Sequence, residues 1–283
     1  MTISFLGLGR MGSILAAHLL DDGHDLVVWN RTPAAADDLG ARGATVASSA
    51  ADAIARSPIV VTALFGPDAV HEVILGGDAT WQPGALWIDV STVAPEDTRA
   101  FAGWASSKRI RYVHAPVIGT LGPARQRALG VPIGGAVADV EAAKEIVATW
   151  ADSERLHVHA TPAQAATEKL VANLALAIAM QGVTEALRLG AAEGLGVDAV
   201  LSALDRTMLG PMAAMKGAVV RSGDYTDTQF SADLLAKDVQ LMMQTVHDPL
   251  PAAAAALGSL LAAQRAGHGD DDFSVIAQPR PRG

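Results

Sequence analysis

A lysine and an asparagine, Lys169 and Asn173, lie four residues apart in an apolar stretch that favours helix formation. Residues at this spacing share one helix face, so the amine and the amide would lie side by side. Leu170, Val171 and Leu174 follow closely in sequence, and desolvation among such side chains disfavours a charged amine. Lys169 would then be a proton donor suited to neutral pH. The alternative is a surface lysine whose charged end reaches solvent at the helix edge.

A glycine-rich turn, Gly7-Leu8-Gly9-Arg10-Met11-Gly12, follows the apolar run 3–6 and precedes an amphipathic helical pattern. A second apolar run, 26–29, completes a strand–turn–helix–strand unit of about 30 residues, the context in which this glycine spacing indicates a dinucleotide site. Gly7 would allow the tight turn, Gly9 a close approach of the pyrophosphate, and Gly12 close packing of helix on strand. The free N–H groups at the helix N-terminus would then face the phosphates.

The end of the second strand predicts which dinucleotide binds. The sequence there is Trp29-Asn30-Arg31-Thr32, with no carboxylate to contact a ribose 2′-hydroxyl. Arg31 can pair with a 2′-phosphate, and Asn30 and Thr32 can donate hydrogen bonds to it. NADP(H) is therefore predicted in preference to NAD(H). The alternative is that Arg31 only stacks on the adenine, which would leave the preference weak.

Strand and helix patterns alternate through the first half of the chain. Strands are predicted at 3–6, 26–29, 59–64, 86–90 and 112–115, with further candidates at 131–134 and 157–159 and helices at 47–55 and 95–106. This alternation predicts a doubly wound parallel α/β sheet of the Rossmann type. Ligands of such sheets bind beyond the carboxyl ends of the strands, where Gly7, Asn30, Phe65, Ser91 and Pro116 are found.

After Thr161 the strand patterns give way to alanine-rich helical ones. The stretch 161–194 predicts one helix of about 30 residues, roughly 45 Å long, suited to joining two lobes. Further helices are predicted at 197–204, 212–222, 234–246 and 251–266, and a disordered tail at 278–283. The expected domains are a nucleotide-binding domain, 1–160, and an all-α domain, 161–283, for substrate binding and dimerisation.

Composition excludes several classes of function. The 283 residues carry a formal net charge of −9 with 21 Lys and Arg, and no basic run suggests a nucleic-acid groove. The absence of cysteine rules out disulfides and thiolate metal sites, and the spacing of the carboxylates and histidines predicts no metal site. The start of the chain resembles a strand more than a signal peptide, and the most apolar window, 174–180, is too short to span a membrane. A cytoplasmic protein is expected.

Four blocks of sequence resemble the β-hydroxyacid dehydrogenase family, which includes 3-hydroxyisobutyrate and 6-phosphogluconate dehydrogenases and has the imine reductases as relatives. They are FLGLGRMG with WNRT, the segment Asp89-Val-Ser-Thr-Val-Ala-Pro95, the block Lys169-Leu-Val-Ala-Asn173, and Phe230 to Asp238, which matches F-x-x-x-L-x-x-K-D. The resemblance covers nearly the whole chain. It implies a homodimer formed through the helical domain, acting on a small molecule.

The resemblance also implies roles for individual residues. Lys169 would be the catalytic acid/base and Asn173 would orient the substrate, while Ser91 and Thr92 would lie near the nicotinamide and Lys237 near the cofactor or a substrate acid group. The predicted cofactor site comprises Gly7, Leu8, Gly9, Arg10, Met11, Gly12, Asn30, Arg31, Thr32, Leu64, Phe65, Ser91, Thr92 and Lys237. The predicted substrate site comprises Ser91, Ile118, Gly119, Thr120 and Asn173.

One block departs from the family pattern. Relatives commonly have Ser-Gly-Gly after D-A-P-V, and that segment grips the substrate carboxylate; here His114-Ala-Pro-Val is followed by Ile118-Gly119-Thr120. An isoleucine donates no hydrogen bond, so a larger or less polar substrate is expected. Arg125 and Arg127 would either hold an anion instead or lie on a solvated loop. His114, at a strand end, is expected to be a satisfied structural histidine.

Three functions remain in competition. The first is an NADP(H)-dependent carbonyl/alcohol oxidoreductase with Lys169 as acid/base. The second is an NADPH-dependent imine reductase, whose relatives commonly carry Asp or Tyr at the position of Lys169. The third is a dinucleotide-binding protein without catalysis, which would predict loss of the lysine and asparagine. The presence of both Lys169 and Asn173 favours the first function, whereas Ile118 favours the second or an unusual substrate.

Overall fold

The computed structural model describes residues 1–279. The chain divides into two compact units, the first being Met1–Lys169 and the second beginning at Leu170. The first unit contains the sheet, and the second unit is helical. The predicted tail, 278–283, falls largely on residues 280–283, which lie outside the described part of the chain.

An eight-stranded sheet with the order β3-β2-β1-β4-β5-β6-β7-β8 forms the centre of the first unit. All neighbouring strands are parallel except β6 and β7, which are antiparallel. The strand order turns back between β1 and β4, which is where doubly wound sheets bind ligands. The strands are β1 Thr2–Leu6, β2 Asp25–Trp29, β3 Thr45–Val46, β4 Ile59–Thr62, β5 Leu86–Asp89, β6 Arg111–His114, β7 Leu129–Gly135 and β8 Ala151–His159.

Seven α-helices, a 3-10 helix at Pro33–Ala36 and a π-helix at His71–Leu75 accompany these strands in the first unit. Side chains that alternate along the strands fill two separate cores, one on each face of the sheet: Val61 and Ile88 belong to one core, and Val60 and Trp87 to the other. The helices are α1 Arg10–Asp21, α2 Asp37–Ala41, α3 Ala50–Arg56, α4 Pro67–Val70, α5 Pro95–Ser107, α6 Leu121–Arg125 and α7 Val137–Val147.

The predicted α/β Rossmann fold is confirmed, with one correction to the parallel sheet. Strand β7 runs against β6 because the connection through α6 brings the chain back to the sheet at the edge where β6 ends. The tryptophans, which look scattered in sequence, also come together in part. Trp81, Trp87 and Trp104 pack on one another with ring centroids 6.1–6.2 Å apart.

The long helix α8, Pro162–Ala192, confirms the predicted joining helix. It begins in the first unit and continues into the second. By length and composition it could cross a membrane, since an 18-residue window has a mean hydropathy of 1.5, with 44% of that window buried; buried core helices meet the same criterion. The second unit continues with α9 Val197–Leu204, α10 Gly210–Ser222, α11 Ala232–Thr245 and α12 Pro251–Arg265.

Candidate active site

The glycine-rich turn between β1 and α1 has the geometry of a phosphate cradle. Gly7 has φ +99°, and a Cβ there would collide with the Ala63 carbonyl; a Cβ on Gly12 would collide with the Gly7 carbonyl. A Cβ on Gly9 would meet nothing within 4 Å, so the backbone lies open to an approaching ligand. The first turn of α1 carries no acidic residue and no side-chain cap, which leaves its N–H groups available to an anion.

Asn30, at the end of β2, stabilises this turn. Its Oδ1 accepts a hydrogen bond from the Leu8 N–H at 2.9 Å, and its Nδ2 donates one to the Thr32 carbonyl at 3.0 Å. The amide is thus engaged within the protein, whereas the sequence suggested a donor to a 2′-phosphate. Arg31 is exposed, and within residues 1–279 no hydrogen bond or ion pair engages its guanidinium.

The loops that follow β4 and β5 are tied to each other. The Leu64 N–H donates to Ser91 Oγ at 2.9 Å, and the Ser91 N–H donates to Asp89 Oδ1 at 3.1 Å. Ser91 is buried and Thr92 half-buried, while Phe65 is exposed at the edge of this region. The structure therefore brings predicted residues from separate parts of the sequence together at the carboxyl ends of neighbouring strands.

The segment that departs from the family pattern is an ordered turn. Ile118 exchanges two backbone hydrogen bonds with Gly130, at 2.7 and 2.9 Å, and Gly119 has φ +144°. The Ile118 side chain is half-buried, and Thr120 precedes α6 without a side-chain cap. The backbone hydrogen bonds of Ile118 thus fix the position of this segment. The segment differs from the Ser-Gly-Gly segment of the family in the chemistry of the Ile118 and Thr120 side chains.

Arg127, one of the two arginines suggested as anion ligands, is already paired. Its two guanidinium nitrogens donate to Asp22 at 2.7 and 2.8 Å. These hydrogen bonds, aided by the positive charge, hold the pKa of Asp22 below its usual range. Arg125 is exposed at the end of α6. The solvated-loop interpretation therefore fits this segment better than a role in anion binding.

Lys169 and Asn173 lie on α8 with 8% and 6% of their surfaces exposed. The interpretation of Lys169 as an exposed surface lysine is therefore wrong. In the second unit, Asn173 Nδ2 donates to Asp238 Oδ2 at 2.6 Å, and Lys237 Nζ lies 2.7 Å from Asp238 Oδ1. Asp238 is 1% exposed and links the asparagine of α8 to the lysine of α11.

Asp238 is the residue of this group to which sequence reasoning gave no role. It was part of the quoted Lys237-Asp238 block, so the signal was present in the motif. A buried aspartate carboxylate needs hydrogen-bond or charged partners, but the sequence could not show which ones, because Asn173 lies 65 positions away. Among residues 1–279, no group of three His, Asp or Glu side chains is arranged to hold a metal ion.

The fold and the glycine cradle define a dinucleotide-binding protein of the Rossmann class. Comparisons with known proteins place the chain more narrowly. A family profile described as the NAD binding domain of 6-phosphogluconate dehydrogenase matches residues 2–179. A second, described as NAD-binding of NADP-dependent 3-hydroxyisobutyrate dehydrogenase, matches residues 163–279.

Individual relatives agree with these profiles. The chain is 32% identical to an NAD-dependent L-serine dehydrogenase from Pseudomonas aeruginosa, with 97% of this chain and 96% of the relative covered. It is 26% identical, with a TM-score of 0.85, to the structure of Mycobacterium tuberculosis 3-hydroxyisobutyrate dehydrogenase with L-serine, covering 98% and 97% of the two chains. An imine reductase from Myxococcus stipitatus in complex with NADP+ shares the fold at 23% identity and a TM-score of 0.69, with 98% and 99% covered.

The chain belongs to the β-hydroxyacid dehydrogenase family. It is an NAD(P)-dependent oxidoreductase acting on a small molecule. The resemblance inferred from the four sequence blocks is thereby confirmed, and the non-catalytic alternative is set aside.

Proposed function

We propose that this protein transfers hydride between NADP(H) and a carbonyl/alcohol substrate, with Lys169 as the general acid/base. The observation that carries the proposal is the burial of Lys169 on the same helix as Asn173, four residues away. Burial of an amine beside a buried amide carries a desolvation cost, and this placement of a proton donor suits general acid/base catalysis.

The residues around the glycine turn fit a dinucleotide. The open backbone at Gly9 and the start of α1 would hold the pyrophosphate, and Arg31 the adenosine end. Ser91 and Leu64, on the far side of the strand-order switch, would flank the nicotinamide. When bound, the dinucleotide supplies or accepts the hydride.

Lys169 would handle the proton of the reaction. In reduction its Nζ donates a proton to the oxygen of the carbonyl, and in oxidation it accepts the proton of the hydroxyl. Asn173 would orient the same oxygen, and its amide is in turn oriented by Asp238 at 2.6 Å. Lys237, on the other oxygen of Asp238, offsets the negative charge of that carboxylate.

The proposed preference for NADP(H) rests on Arg31. The guanidinium is exposed, and no carboxylate occurs in the Asn30-Arg31-Thr32 segment. A guanidinium can bind a 2′-phosphate through two hydrogen bonds. The Pseudomonas relative is named as NAD-dependent. The preference for NADP(H) is therefore proposed for this chain from Arg31 and not from that relative.

The substrate is proposed to be larger or less polar than a small hydroxy acid. Two relatives carry L-serine in their descriptions, which makes a hydroxy-amino acid the reference compound. Ile118 presents an aliphatic side chain where the family commonly has serine, so one donor to a substrate carboxylate is missing. This same observation keeps reduction of a C=N bond as the second candidate function.

The test is an NADPH oxidation assay run in parallel on 3-oxo acids with semialdehydes and on cyclic imines, with L-serine oxidation alongside. We expect turnover on carbonyl compounds and a loss of at least about 100-fold in kcat for Lys169→Ala, with NADPH binding retained. The matched control is Lys144→Ala, which removes a half-buried lysine of α7 that pairs with Glu141 at 2.6 Å. Turnover on imines alone would favour the second candidate, and unchanged kcat in Lys169→Ala would remove Lys169 from the mechanism.

A further inference from the structure

Three polar side chains lie side by side in the last row of the buried sheet. Thr62 is in register with Asp89, and Asp89 with His114, on the adjacent parallel strands β4, β5 and β6. All three residues have no exposed surface. Two residues earlier, on the same face of the sheet, Trp87 and Tyr112 pack with ring centroids 4.7 Å apart. A carboxylate placed in such surroundings is costly unless it is hydrogen-bonded, so the stability of this row depends on the hydrogen-bond partners of Asp89.

The direction of the hydrogen bonds in this row is fixed by one donor. The indole Nε1 of Trp87 can only donate, and it donates to Thr62 Oγ1 at 2.8 Å. The single proton of the Thr62 hydroxyl is then directed to Asp89 Oδ1, 2.8 Å away. The same Oδ1 accepts the Ser91 N–H at 3.1 Å. One carboxylate oxygen therefore joins the end of β4 to the loop that follows β5.

Ser91 closes this arrangement into a ring. Its Oγ accepts a hydrogen bond from the Leu64 N–H at 2.9 Å, and Leu64 lies two residues after Thr62. The ring runs from Thr62 to Asp89, Ser91 and Leu64 and returns along the chain to Thr62. Two loops at the carboxyl ends of β4 and β5 are thus held in one relative position by a carboxylate that has no contact with solvent.

His114 forms the other end of the row. Its Nδ1 lies 3.4 Å from Asp89 Oδ2 and 3.5 Å from the Tyr112 hydroxyl, while its Nε2 is buried without a hydrogen-bond partner in the described part of the chain. The histidine is therefore only partly satisfied, in contrast to the expectation from sequence. Burial, together with the negative charge of Asp89, raises the pKa of Tyr112 well above its ordinary value.

We propose that Thr62, Asp89 and His114 are positioning residues that hold the Ser91 and Leu64 loops against the nicotinamide half of the cofactor. The inference rests on the cofactor placement given under Proposed function. Dinucleotides lie across the point where the strand order turns back, here between β1 and β4. With the adenosine end at β2, the nicotinamide half lies on the β4 and β5 side, which is the side that this row supports.

The test compares two ligands on Thr62→Val, which removes the hydroxyl and keeps the shape. Dissociation constants are measured by calorimetry for NADPH and for 2′-phospho-ADP-ribose, which lacks the nicotinamide. We expect NADPH to weaken about 10-fold, because Asp89 loses the Thr62 donor that holds the two loops in position, and the truncated ligand to change less than about two-fold. Thr62→Ser restores the hydroxyl and should recover NADPH affinity.

The matched control is Ser4→Ala, because Ser4 has a buried hydroxyl on β1 that bonds to the Ala53 carbonyl and Ser57, away from these loops. Equal weakening of both ligands, or no change in either, would overturn the proposal. If Thr62→Val fails to fold, His114→Asn is measured in the same way, with the same selective loss expected. Failure of the unmodified protein to bind either ligand would instead refute the cofactor assignment.

Discussion

Arg31 and Asn30 are neighbours in sequence with different tasks in the structure. The Asn30 amide is engaged by Leu8 and Thr32, whereas Arg31 is exposed and no hydrogen bond or ion pair within residues 1–279 engages it. Asn30 therefore supports the shape of the glycine turn, and recognition of the 2′-phosphate by Arg31 is a proposal. Sequence reasoning assigned both to the same phosphate, because the hydrogen bond from Leu8 spans 22 positions and leaves no local trace.

Replacement of Arg31 tests the cofactor preference directly. We expect Arg31→Ala to weaken NADPH binding at least about 10-fold, by loss of charge-assisted hydrogen bonds to the 2′-phosphate, and to leave NADH binding within about two-fold. Titration of both cofactors by fluorescence measures this. Arg42→Ala is the control, since Arg42 is a nearby arginine already paired with Asp21 at 2.6 Å. Equal losses for both cofactors would show that Arg31 does not read the 2′-phosphate.

At the level of elements, the strands and helices with strong periodicity were predictable. Strands β1, β2, β5 and β6 and helix α8 agree with the sequence patterns within a few residues. The two-residue strand β3 and the short helices α2, α4 and α6 were missed, because elements this short carry no periodic signal. Helix α7 was not predicted either, although it has 11 residues. The reversed direction of β7 was missed because direction is set by the connection and the neighbouring strand, which sequence periodicity does not report.

The junction between β8 and α8 carries a small ionic cluster that sequence reasoning also missed. Glu168, beside Lys169 on α8, accepts hydrogen bonds from His157 Nδ1 at 2.7 Å and His159 Nε2 at 2.6 Å. Burial alone would raise the pKa of Glu168, yet these hydrogen bonds outweigh it and hold the pKa below its usual value. The cluster fixes the start of α8 against the last strand of the sheet.

The lowered pKa of Glu168 predicts a loss of stability in acid. A carboxyl whose pKa is lower in the folded state stabilises the fold above its unfolded pKa, and this contribution disappears as the pH falls through the folded pKa. Between pH 5.5 and pH 3, the unmodified protein should therefore lose about 0.2–1 kcal/mol more than Glu168→Gln. Urea unfolding at both pH values measures the difference. Glu154→Gln, on β8 and exposed, should behave like the unmodified protein; identical losses in all three would contradict the prediction.

For the whole molecule, the distribution of exposed apolar side chains bears on assembly. Leu189 is 73% exposed, Met208 95% and Met215 54%, and all three belong to the second, helical unit. Nine of the fourteen large apolar side chains exposed among residues 1–279 belong to this unit, and contiguous groups of such side chains mark interaction surfaces. This supports the proposal, first implied by the family resemblance, that the protein forms a homodimer through its helical domain.

Light scattering at micromolar concentration tests this proposal. We expect a mass twice the 29.1 kDa of the chain, and a shift toward the single-chain mass for Leu189→Glu, since burying a charge in an apolar interface is costly. The control is Val46→Glu, which changes an exposed apolar residue of the first unit. A mass of one chain for the unmodified protein would contradict the proposal.

The uninterrupted course of α8 through Lys169 and Asn173 restricts how this sequence can change. Each residue inserted between them would turn one side chain about 100° around the helix axis relative to the other and shift it by about 1.5 Å. Substitutions between Lys169 and Asn173 leave the angle between the two side chains around the helix axis unchanged. Insertions or deletions there would change that angle. The number of residues between Lys169 and Asn173 is therefore fixed by the helix. Insertions and deletions have to occur in loops, such as residues 76–85 before β5.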